Sequence, residues 1–275
     1  SQSLLIPDLL TLKLIIRGGK YLSTPESTVL ALYRYLDEQA PFSTQLSWDN
    51  SGLLVGNPGQ EVRSCVFALD VTKEVIDFAK LHHVQLIITH HPVIFSPIKN
   101  VTEENLVWQL IRENISVISA HTNLDLAVGG VNDALAEALC LEDVRPFVNA
   151  DSIGRIGRLP NCMKAADFAE YIQDRLGQAS DVAFTACGPV HTVALVGGAG
   201  GDYLHEASTC GVDAYLTGEL RHHEWMEAQR LPISVYTAGH YATEAVVLQC
   251  LCTRFKEKFS GIQFFCCDSS NVMSL

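Results

Sequence analysis

From residue 29 onward, apolar and polar positions fall into two periods. Val29, Leu30, Tyr33, Leu36 and Ala40 recur at the spacing of a helix face, with Thr24 placed to cap it, Pro25 at its first position and Glu26 in its first turn. Short β-branched and apolar runs then alternate with amphipathic stretches. RSCVFALD (63–70), VQLIIT (84–89) and ISVISA (115–120) read as strands, and 72–83, 102–114 and 131–141 as helices. This βαβ order predicts an α/β fold with a parallel sheet.

A second series follows the Gly/Arg/Pro-containing stretch 151–161. It predicts a helix over 166–176, strands VAFTA (182–186) and HTVALVG (191–197), a GGAGG loop, a helix over 203–210 and a strand DAYLTGE (213–219). A helix over 220–229, a strand ISVYTA (233–238), a long helix from His240 through Lys258 and a final strand GIQFFCCD (261–268) complete it. No internal repeat is evident. The expectation is two α/β lobes, about 24–150 and about 151–275, meeting at a ligand cleft, with one sheet carrying an insertion as the alternative. Residues 1–23 read as an N-terminal extension. Their apolar run is interrupted by Pro7 and Asp8, and Lys13, Arg17 and Lys20 lie within or after it, so it has neither the charge order of a signal peptide nor the length of a membrane span.

Composition narrows the class. Of 275 residues 48% are hydrophobic, enough for a substantial core and too many for a disordered chain. A formal charge of −12 argues against a surface built for nucleic acid, so any DNA contact is expected to be weak and steeply salt-dependent, and a small-molecule substrate is the expected partner. The nine cysteines are odd in number, form no CxxC pair and lie mostly in apolar runs, which fits buried thiols in a reducing, cytoplasmic setting.

The chemistry gathers at strand ends. THH delivers His90 and His91, SAHTNLD delivers His121 and Asp125, and AGHYATE delivers His240 and Glu244. Open α/β sheets place ligand-binding residues at such carboxyl ends. Adjacent strand residues point to opposite faces, so His90 and His91 converge only if the chain turns, which Pro92 favours. His240 and Glu244, four apart, share a helix face. Each feature alone has an ordinary explanation: a buried hydrogen-bonded histidine, an Asx turn at Asp125, or a helix-surface hydrogen bond. Together, three imidazoles and two carboxylates exceed what one tetrahedral metal with an open position needs, which favours two metals.

His121 is read as a ligand or, with preference, as a residue that orients one. The block His222-His223-Glu224 reads as a solvated helix face, with His223 retained as an active-site candidate. The glycines of 197–201 do not match GxGxxG, so packing or a turn outranks nucleotide binding there. Neither a GxSxG elbow nor a Walker motif is present.

Five ordered segments, SWDNSGLLVG (47–56), THHPVIFSPIKN (89–100), SAHTNLDLAVGGVNDALAEAL (119–139), GVDAYLTGELRHHE (211–224) and AGHYATE (238–244), resemble the NIF-three-like family, whose members are also named GTP cyclohydrolase I type 2 homologues. The resemblance runs from about residue 25 to the C-terminus, in the family's short form without an inserted domain. It implies a two-lobed α/β subunit with a dinuclear metal site in the cleft, assembled as a toroidal homohexamer. It also implies that His90, His91, Asp125, His240 and Glu244 are the metal ligands, with Glu244 bridging. Where the family usually has TGD and a tyrosine–histidine pair, this chain has Thr217-Gly218-Glu219 and His222-His223, which bears on substrate contacts. The implied activity is metal-dependent hydrolysis that opens a purine ring of GTP at C8, with His121 or His223 as the catalytic residue moving a proton. The alternative is a non-catalytic metal-binding regulatory or scaffold protein acting through partners. Histidine and carboxylate donors suit two divalent ions of Fe, Zn, Mn, Co or Ni, and disfavour Mg²⁺.

Overall fold

The computed structural model describes residues 27–147, 153–177 and 182–267; the N-terminal extension and the expected cap at Thr24 lie outside them. The first helix, α1 (Val29–Gln39), is capped instead by Thr28, which is extended and accepts from the Ala31 amide at 3.2 Å. Its buried stripe is Val29, Leu32 and Leu36, with Ala40 buried at the cap that follows.

The first sheet contains β1 (Gly52–Val55), β2 (Ser64–Ala68), β3 (Leu86–Thr89), β4 (Ser116–Ser119) and β11 (Gln263–Cys266), in the order β1-β4-β3-β2-β11. All are parallel except the edge strand β1. Every residue of β2, β3 and β4 is buried, because helices cover both faces of a parallel sheet and its strands then read as continuous apolar runs. Cys65 and Phe67 pack toward α1 and α10 (Val246–Lys258), through Leu36, Leu251 and Phe255. The alternate residues Val66 and Ala68 pack toward α2 (Lys73–Leu81) and α3 (Leu106–Arg112), through Ile76 and Leu110.

The second sheet has the order β5-β6-β8-β9-β10-β7, with β5 (Glu142–Pro146), β6 (Arg155–Met163), β7 (Ala183–Thr185), β8 (Val190–Val196), β9 (Ala214–Thr217) and β10 (Ser234–Thr237). The strands β8, β9 and β10 are parallel and the others antiparallel. One face packs on α5 (Val131–Ala138) and α6 (Ala165–Leu176), the other on α7 (Leu204–Thr209) and α8 (His222–Ala228).

Four expectations are corrected. The stretch 151–161, to which the sequence pattern assigns no element, contains most of β6; its Pro160 sits where the β6–β8 register shifts, since proline cannot donate to a ladder. The lobes are not sequential halves, because β5 precedes residue 150 yet joins the second sheet, while β11 returns from the C-terminus to the first. The long helix from His240 is two helices, α9 (His240–Glu244) and α10, which adjoin at Ala245. Asp125, read as a loop residue, lies on the short helix α4 (Thr122–Leu126).

The carboxyl ends of β3 and β4 in one sheet and of β8 and β10 in the other open on a common cleft, which His91, His121, Gly197 and His240 line. Among the described residues no helix is long and apolar enough to cross a membrane.

Candidate metal centre

His90 and His91 leave β3 at its carboxyl end and do converge. The His91 amide bonds to Leu69 O at 2.9 Å and Thr89 Oγ1 donates to the His91 carbonyl at 2.9 Å, so the chain turns off the strand and brings the two rings to 5.0 Å. His90 is fully buried; its Nδ1 meets Ala120 O at 2.9 Å, and its Nε2 stands 3.6 Å from both Asp125 Oδ1 and Glu244 Oε1. His91 Nδ1 meets Asp70 Oδ1 at 2.8 Å, and its Nε2 lies 3.0 Å from Glu244 Oε2 and 3.3 Å from His240 Nε2. His240 Nδ1 lies 3.2 Å from Glu219 Oε1, and its Nε2 is 3.1 Å from Glu244 Oε2. His121 Nδ1 meets Asp49 Oδ1 at 2.9 Å, which leaves its other nitrogen for the cleft, where its ring stands 5.1 and 5.7 Å from those of His90 and His91.

One rule governs all four imidazoles. Each Nδ1 faces an oxygen acceptor from a neighbouring element, which fixes the N–H tautomer there and turns the Nε2 lone pair inward. Lone pairs only 3.3 Å apart, on His91 and His240, repel unless a cation or proton lies between them. Burial by itself would lower the His91 pKa, but the neighbouring carboxylates of Asp70 and Glu244 outweigh it and raise the value to about 10. For His240 the same opposition, with Glu244 and Glu219 as partners, gives about 9. Burial would raise Glu244, yet facing His90, His240 and His91 hold it well below the usual carboxylate range, whereas for Asp125 burial prevails and the pKa is raised. The protein groups taken alone therefore call for positive charge.

Two buried atoms complete that case: His90 Nε2 and Glu244 Oε2 make no aligned hydrogen bond, which is uncommon for polar atoms out of water. Imidazole nitrogens and carboxylate oxygens at this spacing form groups that could hold a metal. They are His91, His240 and Glu244 on one side and His90, His91 and His121 on the other. All five expected ligands and His121 thus meet in one place.

The glycine run holds Glu244 rather than opening a nucleotide loop. Gly198 has φ +64°, and a Cβ there would overlap Glu244 Oε1. Its amide donates to Thr243 Oγ1 at 3.1 Å, and the Gly197 amide donates to Asn132 Oδ1 at 2.8 Å. Asn132, itself fully buried, donates to the Asp125 carbonyl at 3.1 Å, so one side chain joins the Asp125 helix to the loop behind Glu244.

His222 and His223 are exposed on α8, outside the set of cleft-lining residues. Glu224 departs from the expected solvated face: it is buried and accepts from the Arg221 amide at 2.6 Å and from Arg221 Nε at 2.7 Å. Reading the chain as a sequence misses Asp49, Asp70 and Asn132. The signal available for the two aspartates is their position just before or just after an apolar run, in SWDN and FALD.

The fold and site define a mixed α/β protein with two sheets and a histidine–carboxylate cluster where their strand ends meet. The family model DUF34/NIF3 (NGG1p interacting factor 3) matches residues 27–271, and the chain belongs to this family. The GTP cyclohydrolase 1 type 2 homolog of Streptomyces coelicolor is 37% identical over 76% of this chain and 79% of its own length. That of Methanocaldococcus jannaschii is 32% identical over 84% of this chain and 93% of its own. The alignment with the Bacillus subtilis homologue extends over 352 residues, more than the 275 of this chain, so that relative carries sequence this one lacks. Among solved structures, a Staphylococcus aureus hypothetical protein superposes with a TM-score of 0.83 at 26% identity, covering 90% of this chain and 98% of its own. Reduced HcgD from Methanocaldococcus jannaschii gives 0.75 at 29% identity, covering 88% and 98%.

Proposed function

We propose that this chain is a metal-dependent hydrolase with a dinuclear centre. The carrying observation is the pair of buried, unsatisfied atoms, His90 Nε2 and Glu244 Oε2, set among donors contributed from both sheets. His91, His240 and Glu244 would hold one divalent ion, and His90 and Asp125 the other, with Glu244 shared. Fe, Zn, Mn, Co and Ni all suit these donors. Bound ions supply Lewis-acid polarisation of the substrate and a nucleophile from water at neutral pH.

The chain's own groups do the rest. Asp70, Glu219 and Ala120 O hold the Nδ1 atoms of His91, His240 and His90 and so aim each Nε2 at the cluster, where a metal would take the place of a proton. His121, tied to Asp49, faces the cleft and is assigned to hold or move a proton there, a role for which exposed His223 lies outside the cleft. Relatives carry the name GTP cyclohydrolase 1 type 2 homolog, so the proposed substrate class is a nucleotide with a purine ring. We further propose a cytoplasmic homohexamer, as the resemblance implies.

The test is elemental analysis of protein purified without added metal, followed by GTP turnover by the loaded protein with ring opening read by mass spectrometry. Two metals per subunit with turnover support the reading. Two metals with no turnover of GTP or other purine nucleotides favour a regulatory or scaffold role, in keeping with a family described by an interacting factor.

A further inference from the structure

Two large aromatic side chains stand in the open at the mouth of the cleft: Trp48 is 58% exposed and Phe95 57%. Rings of this size left in water are an unused stacking surface. They meet edge to face at 6.1 Å, and each also faces His121, at 5.9 and 6.3 Å, so three rings form a corner beside the metal cluster.

The corner is held from beneath. The Asp49 amide bonds to Leu46 O at 2.9 Å, and the Asp49 carboxylate, whose side chain is fully buried, accepts from the amides of Asn50 and Thr122 at 2.7 and 3.0 Å and from the Ser51 hydroxyl at 3.0 Å. That fixes the backbone of Trp48 while leaving its indole outside. Asn50 Nδ2 donates to Ile94 O at 2.6 Å, which laces the loop of Trp48 to the loop of Phe95. The cleft has a volume of about 460 Å³ and includes the apolar side chains of Ile153 and Val196, with Tyr203 beside them. That size and mixture suit a small organic ligand.

We propose that Trp48 and Phe95 are specificity-determining residues that stack a planar heteroaromatic ring of nucleobase size against the metal centre. The assignment rests on the hydrolase reading for what happens to that ring, but the stacking itself has its own readout. A flat ring shares a π-face with Trp48 and leaves water, whereas a sugar phosphate gains nothing from the same surface.

The metal-loaded full chain is titrated calorimetrically with guanosine 5′-monophosphate and with ribose 5-phosphate, which carries the sugar and phosphate without the ring. The nucleotide is expected to bind about tenfold tighter or more, the scale of one base stacked on one aromatic side chain. Trp48→Ala and Phe95→Ala should remove most of that difference and Trp48→Phe restore most of it, with metal content and sedimentation unchanged in each. Equal binding of the two probes by the native chain, or an undiminished preference in Trp48→Ala, overturns the proposal. So does loss of metal or of assembly in Trp48→Ala, which would make the indole a structural or interface residue. Elemental analysis of the same samples keeps the two readings apart: a ring preference without bound metal defeats the hydrolase reading alone, and bound metal without a ring preference defeats this one alone.

Discussion

At the scale of single residues, the centre is governed by what lies behind each ligand. Asp70 faces His91 Nδ1 at 2.8 Å and lies at the end of a different strand, so it orients the ligand without belonging to its segment. Asp70→Ala is expected to weaken metal binding about 10- to 100-fold, the usual cost of losing such a partner, with little change in fold. Competition against a chromogenic chelator measures this. Exposed His222 provides the contrast: His222→Ala should leave metal content unchanged, and loss of metal would show that the wrong histidines have been assigned. Glu244→Gln keeps size but removes the charge that the proposed centre would share between two ions, so two metals per subunit in that variant would contradict bridging. The pKa directions add a pH dependence. Without metal, the folded-state values of about 10 for His91 and about 9 for His240 exceed the unfolded value of roughly 6.5. Their contribution to the stability of the metal-free chain is therefore complete below about pH 6.5 and is lost as pH rises toward 9–10. Metal must displace those protons, so affinity should rise over the same range. Melting curves of chelated and loaded protein between pH 6 and 9 should diverge as pH increases; a constant gap would refute the coupling.

At the scale of elements, the site depends on short helices that cannot stand alone. The five residues of α4 carry Asp125, and those of α9 carry His240 and Glu244 on one face. Isolated helices of that length are unstable in water, so tertiary anchors hold them. Arg155, buried on β6, supplies one: it pairs with Asp133 on α5, and its Nη2 donates to the carbonyls of Leu126 and Ala127 at 3.3 and 3.0 Å, at the end of α4. Asn132 supplies another, donating to Asp125 O and to Ile153 O at 2.5 Å while accepting from Gly197. Asn132→Ala orphans these groups, and each costs on the order of 1–3 kcal/mol when left buried and unpaired. Urea unfolding should show a loss of at least that size, together with weaker metal binding because both α4 and the Glu244 loop lose their tie. A neutral result would mean that water replaces the amide.

At the scale of the whole molecule, the candidate ligands come from both sheets, so a bound metal would join the two halves. A ligand that binds only the folded state at 100 times its dissociation constant stabilises by about 2.7 kcal/mol, and chelation should lower the melting temperature accordingly. Unchanged melting after verified metal removal would mean that the halves are held without it. For assembly, sedimentation should give about six times the subunit mass of 30.1 kDa, and a monomer at micromolar concentration would defeat the hexamer proposal.

The residues that meet in the centre and the βαβ frame that carries them were legible in the chain. Buried parallel strands require apolar side chains on both faces, so SCVFA, LIIT and SVIS read as strands without any knowledge of the fold. Histidines and carboxylates just after such runs fall at strand ends by the same logic. Tertiary structure alone decided the rest. The strand β5 is exposed throughout and the outer half of β6 is mostly exposed, so neither carries the buried-strand pattern, and β11 joins the first sheet through hydrogen bonds to distant β2, with Gln263 opposite Ser64. The supporting groups share that character: Asp49 reaches His121 across 72 positions, and His91 meets His240 across 149. The same applies to Gly198, whose missing side chain makes room for Glu244. Periodicity reports only which face of an element is dry; which neighbour lies against that face is a property of the packed chain.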